Sequence, residues 1–238
     1  MNMAASDFPF AIVGFDLDGT LVDSSQDLCI ALNHALVFAG RDPIPLEGIR
    51  PLVGRGVRRM LERALIVEGG MDEESFRPVY KELLTFYEAN LAVHTRPYPG
   101  CIAMLDALVA QGCRIAVVTN KFEKLARSLL DQIGLTERFA TVIGGDTMGP
   151  GRSKPAPDPI REMIARCGGG TAAFVGDTTI DVAAAHAAGI PCVGVAFGLN
   201  DKPPHELGAD HVIGHFDELL PTLRTLAPRP VATGECPV

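Results

Sequence analysis

Short apolar runs recur along the chain, and each gives way to a polar or glycine-rich turn: AIVGF before Asp16, RIAVV before Thr119, TVIGG before Asp146, AAFVG before Asp177, and PCVGVA from Pro191. Runs this short, apolar at every position and each followed by a helical pattern, predict βα units on a parallel sheet buried on both faces. The spacing is uneven, with a long gap between the first run and the second. Inside that gap the pattern changes to helical periodicity: DLCIALNHALVFAG, GVRRMLERALIVEGG and ESFRPVYKELLTFYEANL, with no good strand among them. Gly40, Gly69-Gly70 and the turn Pro97-Tyr98-Pro99-Gly100 mark ends and a hinge.

The fold class expected is therefore α/β, a Rossmann-like parallel sheet core with an inserted all-helical cap domain. The core takes residues 1–22 and 92–238, and the cap takes 23–91. The last residues, 227–238, lack periodicity and read as a flexible tail. In such a sheet, ligands bind beyond the carboxyl ends of the strands. Asp16, Asp18, Thr119, Asn120, Asp146 and Asp177 would meet there in one crevice. Asp16 and Asp18, two apart on an extended segment, can both point into it.

Composition narrows the partners. The formal net charge is −8, so no general basic field attracts nucleic acid or an anionic membrane surface. Any anion must be captured locally. The 6 cysteines include no C-x-x-C pair and read as reduced core thiols rather than a zinc site. The N-terminus MNMAASDFPF has neither a basic nor a long apolar leader segment, and a cytoplasmic protein, monomer or homodimer, is expected.

Carboxylates clustered in one crevice repel one another and raise at least one pKa unless a divalent cation compensates them. With oxygen donors alone, magnesium is favoured over zinc. Each polar signal also has an ordinary explanation. Asp16 and Asp18 could be turn residues, Thr119 a helix cap, Lys154 in SKPAPDP a solvated lysine, and Asp177 or Thr178 in VGDTTID the cap of the next helix. Their succession in one order at strand ends of one sheet argues for a shared site. Pro155 and Pro157 would hold the backbone around Lys154 extended.

The ordered set DLDGT, VVTN, Lys154 before Pro-x-Pro, and GDTTID resembles the four motifs of the haloacid dehalogenase-like hydrolases, and the helical insert is similar to their cap of the first type. Within that superfamily, FDLDGTLVDS and the cap segment VGRG most resemble phosphoglycolate phosphatases. The resemblance implies a small phosphomonoester as substrate, with 2-phosphoglycolate foremost. Asp16 would then be the nucleophile forming an aspartyl-phosphate, and Asp18 the acid and base. Asp16, Asp177 and the backbone carbonyl of Asp18 would hold Mg2+. Thr119, the Asn120 backbone and Lys154 would clamp the phosphoryl oxygens, and Asp181 would orient Lys154 or a metal-bound water.

An aspartate two residues after the nucleophile implies a phosphatase over a dehalogenase or phosphonatase. A beta-phosphoglucomutase-like enzyme, and a phosphatase of sugar phosphates or pyrophosphate, remain as alternatives. A phosphoacceptor switch domain is the alternative outside enzymes, although such domains are about half this length and carry no cap. In the cap, Arg50, Arg55, Arg58, Arg59 and Arg63 form the densest positive charge. Gly54 and Gly56 free the loop around Arg55 to approach a ligand, and the resemblance implies that this loop faces the site and sets specificity.

Overall fold

The computed structural model describes residues 8–66 and 69–228; most of the expected tail lies outside them. Eight strands and eight α-helices are present among the described residues. Six strands form one parallel sheet: β1 (Ile12–Phe15), β4 (Arg114–Val118), β5 (Thr141–Ile143), β6 (Ala172–Gly176), β7 (Cys192–Val195) and β8 (His211–Ile213). Their order across the sheet is β5-β4-β1-β6-β7-β8. With the sheet strands counted alone, this is the doubly wound order in which the chain reverses direction between the first strand and the fourth. The central strand β1 is buried throughout, as a strand covered by helices on both faces must be.

Side chains alternate along β1. Val13 and Phe15 join one core, with Leu105 of α4 (Cys101–Ala110), Leu125 of α5 (Glu123–Gln132) and Leu223 of α8 (Leu219–Thr225). Ile12 joins the other, with Met163 of α6 (Asp158–Arg166) and Val182 of α7 (Thr179–Ala188). This is the three-layer arrangement predicted by the apolar runs.

The chain leaves the core through β2 (Val22–Asp23) and returns through β3 (Arg96–Pro97), which pair antiparallel with Val22 opposite Pro97 and Asp23 opposite Arg96. Between them lie α1 (Ser25–Phe38), α2 (Val57–Ile66) and α3 (Glu73–Ala89). Leu32, Leu61, Leu65, Phe76, Leu83 and Tyr87 are buried among these helices. Asp72 caps α3 by accepting from the Ser75 N–H at 2.9 Å. Asp27, buried near the start of α1, accepts from the backbone N–H groups of His94 (3.0 Å) and Thr95 (2.8 Å) and from the Thr95 hydroxyl (2.7 Å). One carboxylate thus ties the departing chain to the returning one, just outside the β2–β3 pair.

Two expectations need correction. Asp146 does not join the crevice. It is exposed, and its carboxylate accepts from the Glu123 N–H at 2.8 Å at the start of α5, where a negative charge meets the free N–H groups of a helix end. The SKPAPDP segment is not extended either. The Lys154–Pro155 bond is cis, the Ala156 N–H donates to Ser153 O at 2.9 Å, and Pro157 has helical dihedrals as the cap of α6. Lys154 therefore projects from a tight turn.

Candidate active site

β1, β4 and β6 lie side by side, so the residues that follow them meet at one edge of the sheet: Asp16 after β1, Thr119 after β4 and Asp177 after β6. The reversal of direction between β1 and β6 opens the crevice there. Asp16, Asp177 and Asp181 are all buried, and each offers a carboxylate oxygen within 4.8 Å of the other two. Lys154 enters from its turn. Its ammonium lies 2.9 Å from Asp16 Oδ1 and 2.6 Å from Asp181 Oδ1.

Asp181 is saturated by protein. One oxygen takes Lys154, and the other accepts from the Thr178 N–H (3.0 Å) and hydroxyl (2.6 Å), closing a capping box on α7. Asp177 is aimed by three elements. Its Oδ1 accepts from the Thr20 hydroxyl at 3.0 Å, its Oδ2 from the Leu199 N–H at 2.8 Å, and its backbone carbonyl from Asn200 Nδ2 at 2.7 Å. The loop after β1 fits closely around it. A Cβ on Gly19, at φ +86°, would fall 2.2 Å from Asp177 Oδ2, so this turn admits no side chain.

These contacts leave the charges unbalanced. Three buried carboxylates face one buried ammonium, and Asp16 Oδ1, although beside Lys154, receives no well-aligned hydrogen bond. Burial pushes the Asp16 carboxyl up to about 6, against the pull of Lys154, with Asp181 adding to the rise. Burial, and then the charges of Asp181 and Asp16, raise Asp177 well above the ordinary carboxylate range. Lys154 is held above its ordinary value: burial alone would lower it, but Asp16 and Asp181 outweigh burial. An excess of two negative charges on oxygen donors is what a divalent cation would balance.

Asp18 stands apart from this cluster. The Ser24 hydroxyl donates to it at 2.6 Å, and Lys121 Nζ lies 3.1 Å from both of its carboxylate oxygens. Lys121, buried, also donates to the hydroxyl of Tyr87 on α3 and sits 4.6 Å from the centre of that ring. No reading of the sequence singled out Lys121. Its position immediately after Thr119-Asn120 at a strand end was the available signal.

Asp16, Asp18, Thr119, Asn120 and Lys121 line a cavity closed from the cap side by Leu28, Val53, Gly54, Gly56, Val57 and Met60. The cavity is small: the room for the centres of water-sized molecules is about 30 Å³, within about 400 Å³ of non-atom space that includes open solvent. Asn120 joins the two sides: its Nδ2 donates to Gly54 O on the cap and to Lys154 O on the core, each at 3.0 Å. A Cβ on Gly56, at φ +81°, would fall 3.1 Å from the Asn120 carbonyl oxygen, so the glycine permits this approach. Arg55, between the two glycines, is exposed. It lines an outer cleft with Arg58, Arg59 and Tyr80 instead of the inner cavity. Arg58 and Arg59 pair with Glu62, and Arg63 donates to Pro51 O at 2.8 Å.

Known proteins share both the sequence and this architecture. A relative from Agrobacterium fabrum, named phosphoglycolate phosphatase, is 43% identical over 90% of this chain and 92% of its own length. One of the same name from Caulobacter vibrioides is 37% identical over 92% of this chain and 94% of its own. A crystal structure of a predicted phosphoglycolate phosphatase from Haemophilus somnus superimposes with a TM-score of 0.83 at 30% identity, covering 90% of this chain and 98% of that one. The family model for haloacid dehalogenase-like hydrolases matches residues 13–195, a span running from β1 to the end of β7 and containing every residue of the acidic cluster, and the chain belongs to that family.

Proposed function

We propose that the protein is a magnesium-dependent phosphatase that hydrolyses 2-phosphoglycolate through an aspartyl-phosphate on Asp16. The observation that carries this reading is the difference in surroundings between the two aspartates of the Asp-Leu-Asp step. Asp16 is buried in an acidic cluster beside one lysine, while Asp18, two residues on, faces the cavity with partners of its own. The names of the relatives supply the substrate.

Asp16, Asp177 and the backbone carbonyl of Asp18 would hold Mg2+. When bound, the ion supplies positive charge that keeps Asp16 ionised and draws off the charge of the phosphoryl oxygens. Asp16 then attacks phosphorus, and Asp18 donates a proton to the departing oxygen of glycolate and later takes one from the attacking water. Lys154 and Thr119 hold the phosphoryl group in line. Asp181 fixes Lys154 and contributes no chemistry of its own. Phosphomonoester hydrolysis can require up to about 28 kcal/mol of barrier lowering, of which positioning supplies about 7–11. Much of the remainder falls to charge stabilisation in a site closed to water.

The test is phosphate release across 2-phosphoglycolate, hexose phosphates, nucleotides and pyrophosphate, with magnesium and then with excess chelator. Preference for 2-phosphoglycolate, loss of turnover with chelator, and an acid-stable phosphorylated enzyme missing from folded Asp16→Asn are the expected results. Full activity of the chelated enzyme, or turnover by folded Asp16→Asn, overturns the mechanism.

A further inference from the structure

We infer that Lys121, and not an arginine of the cap loop, is the specificity-determining residue that receives the anionic end of the leaving group. The inference rests on the phosphatase reading, because it concerns the part of the substrate beyond the phosphate.

Position is the first argument. Phosphorus must lie against Asp16, and the departing oxygen must lie against Asp18, its proton donor. In 2-phosphoglycolate one methylene separates that oxygen from the carboxylate. A cation that reads the carboxylate must therefore stand next to Asp18. Lys121 Nζ is 3.1 Å from both Asp18 oxygens and borders the same cavity.

Elimination is the second. Among the described residues that line the inner cavity, Lys121 is the one cation. Lys154 is engaged with Asp16 and Asp181 and does not line this cavity, and in the phosphatase reading its remaining reach goes to the phosphoryl group, not to the leaving group. Arg55 is exposed and lines the outer cleft, which Lys121 also borders, but it does not line the inner cavity. The cap wall facing Lys121 consists of Leu28, Val53, Val57, Met60 and two glycines, which offer an anion no charged partner.

Valence is the third. An ammonium has three donors, and the partner groups of Lys121 are two, the Tyr87 hydroxyl and the Asp18 carboxylate. Its three donors reach the Tyr87 hydroxyl and the two Asp18 oxygens, so a ligand carboxylate would take over one of the two Asp18 contacts. Tyr87 holds the ammonium from the cap side, so the cation is fixed before substrate arrives. A buried, prearranged charge of this kind avoids the ordering cost that an exposed arginine side chain would carry.

The experiment compares kcat/KM for 2-phosphoglycolate with that for 2-hydroxyethyl phosphate, in which an alcohol replaces the carboxylate at similar size. Lys121→Met is expected to lower this ratio on the order of 10- to 150-fold. Lys121→Arg, which keeps the charge, should lower it less. Losses caused by depriving Asp18 of its partner strike both substrates and cancel in the ratio. A wild-type ratio near one removes the 2-phosphoglycolate reading itself. A large wild-type ratio that survives in both variants overturns the role of Lys121 alone.

Should Lys121→Met fail to fold, the deciding measurement is a crystal structure of Asp16→Asn with 2-phosphoglycolate. A ligand carboxylate within about 4 Å of Lys121 Nζ supports the inference. A carboxylate on Arg55, or on no cation, overturns it.

Discussion

Two buried lysines sit on either side of one strand-to-loop step and hold different things. Lys154 belongs wholly to the core: its partners Asp16 and Asp181 follow β1 and β6, and its own turn precedes α6. Lys121 spans a boundary, since Asp18 is on the core and Tyr87 on the cap. Both are buried, and both are held above the ordinary lysine value by acidic or hydroxyl partners despite burial, which alone would lower them. The difference is in what each would lose. Without Lys154 the nucleophile's cluster has no cation at all, whereas without Lys121 the acid keeps the Ser24 hydroxyl and the cap keeps its apolar packing. In the proposed reading, reaction chemistry is thus anchored inside the core, and substrate recognition is shared between core and cap.

The largest effect that would break this contrast is on the core side. Lys154→Met leaves three carboxylates facing one another; it should abolish measurable turnover and cost about 3–5 kcal/mol of stability, read from denaturant unfolding in chelator. A variant as stable and active as the parent would make the two lysines equivalent.

Metal addition gives the next effect, and it can be followed without activity. Without metal, burial pushes the Asp16 carboxyl up to about 6, above the ordinary carboxylate range. A carboxyl with a raised folded-state pKa binds its proton more tightly folded than unfolded, so its contribution to stability is lost as pH rises from about 4 to 6. Asp16→Asn should therefore stabilise the chelated protein above pH 6 and do little below pH 4. Magnesium should raise the Tm of the parent more at pH 7.5 than at pH 5, because protons compete for the same oxygens. Identical shifts at both pH values would count against a carboxylate metal site.

On the cap side the effects should be smaller. Tyr87→Phe removes the hydroxyl that Lys121 donates to and should cost about 1 kcal/mol of stability, with a several-fold rise in KM for 2-phosphoglycolate and a smaller change in kcat. A kcat loss as large as that of Asp18→Asn would place Tyr87 in the chemical step. The smallest effect is expected at Arg55, where alanine should change kcat/KM by less than about 3-fold, as for a surface side chain. A loss confined to 2-phosphoglycolate and exceeding 10-fold would move recognition from Lys121 to the outer cleft.

The sequence disclosed the parts of the molecule whose neighbours along the chain share their fate. β1, β4, β5, β6 and β7 are covered on both faces and read directly as apolar runs. β8, only His211–Ile213 at the sheet edge with His211 exposed, and the two-residue strands β2 and β3 have no run to see. The site residues next to buried strands were legible for the same reason, and that rule also misled: Asp146 follows a strand yet serves a helix end. Lys121 was hidden because its counter-charge lies 103 positions away and its hydroxyl partner 34, so nothing local marks it as buried. The backbone N–H of Leu199 that fixes Asp177 carries no side-chain signal at all.

The pairing of β2 with β3 bears on how the sheet is assembled. β1 meets β4 with Ile12 opposite Arg114, a contact that closes a loop of about a hundred residues. Once Val22 and Asp23 are paired with Pro97 and Arg96, the loop left to close is about thirty residues, a saving of about 1 kcal/mol of chain entropy. The cap, whose helices pack mainly on each other, can make that pairing early. If that pairing comes first, a long insertion at this point slows closure of the central strands less than its length suggests. Weakening the pair, for instance by replacing Asp27, should appear first as slower refolding of the core.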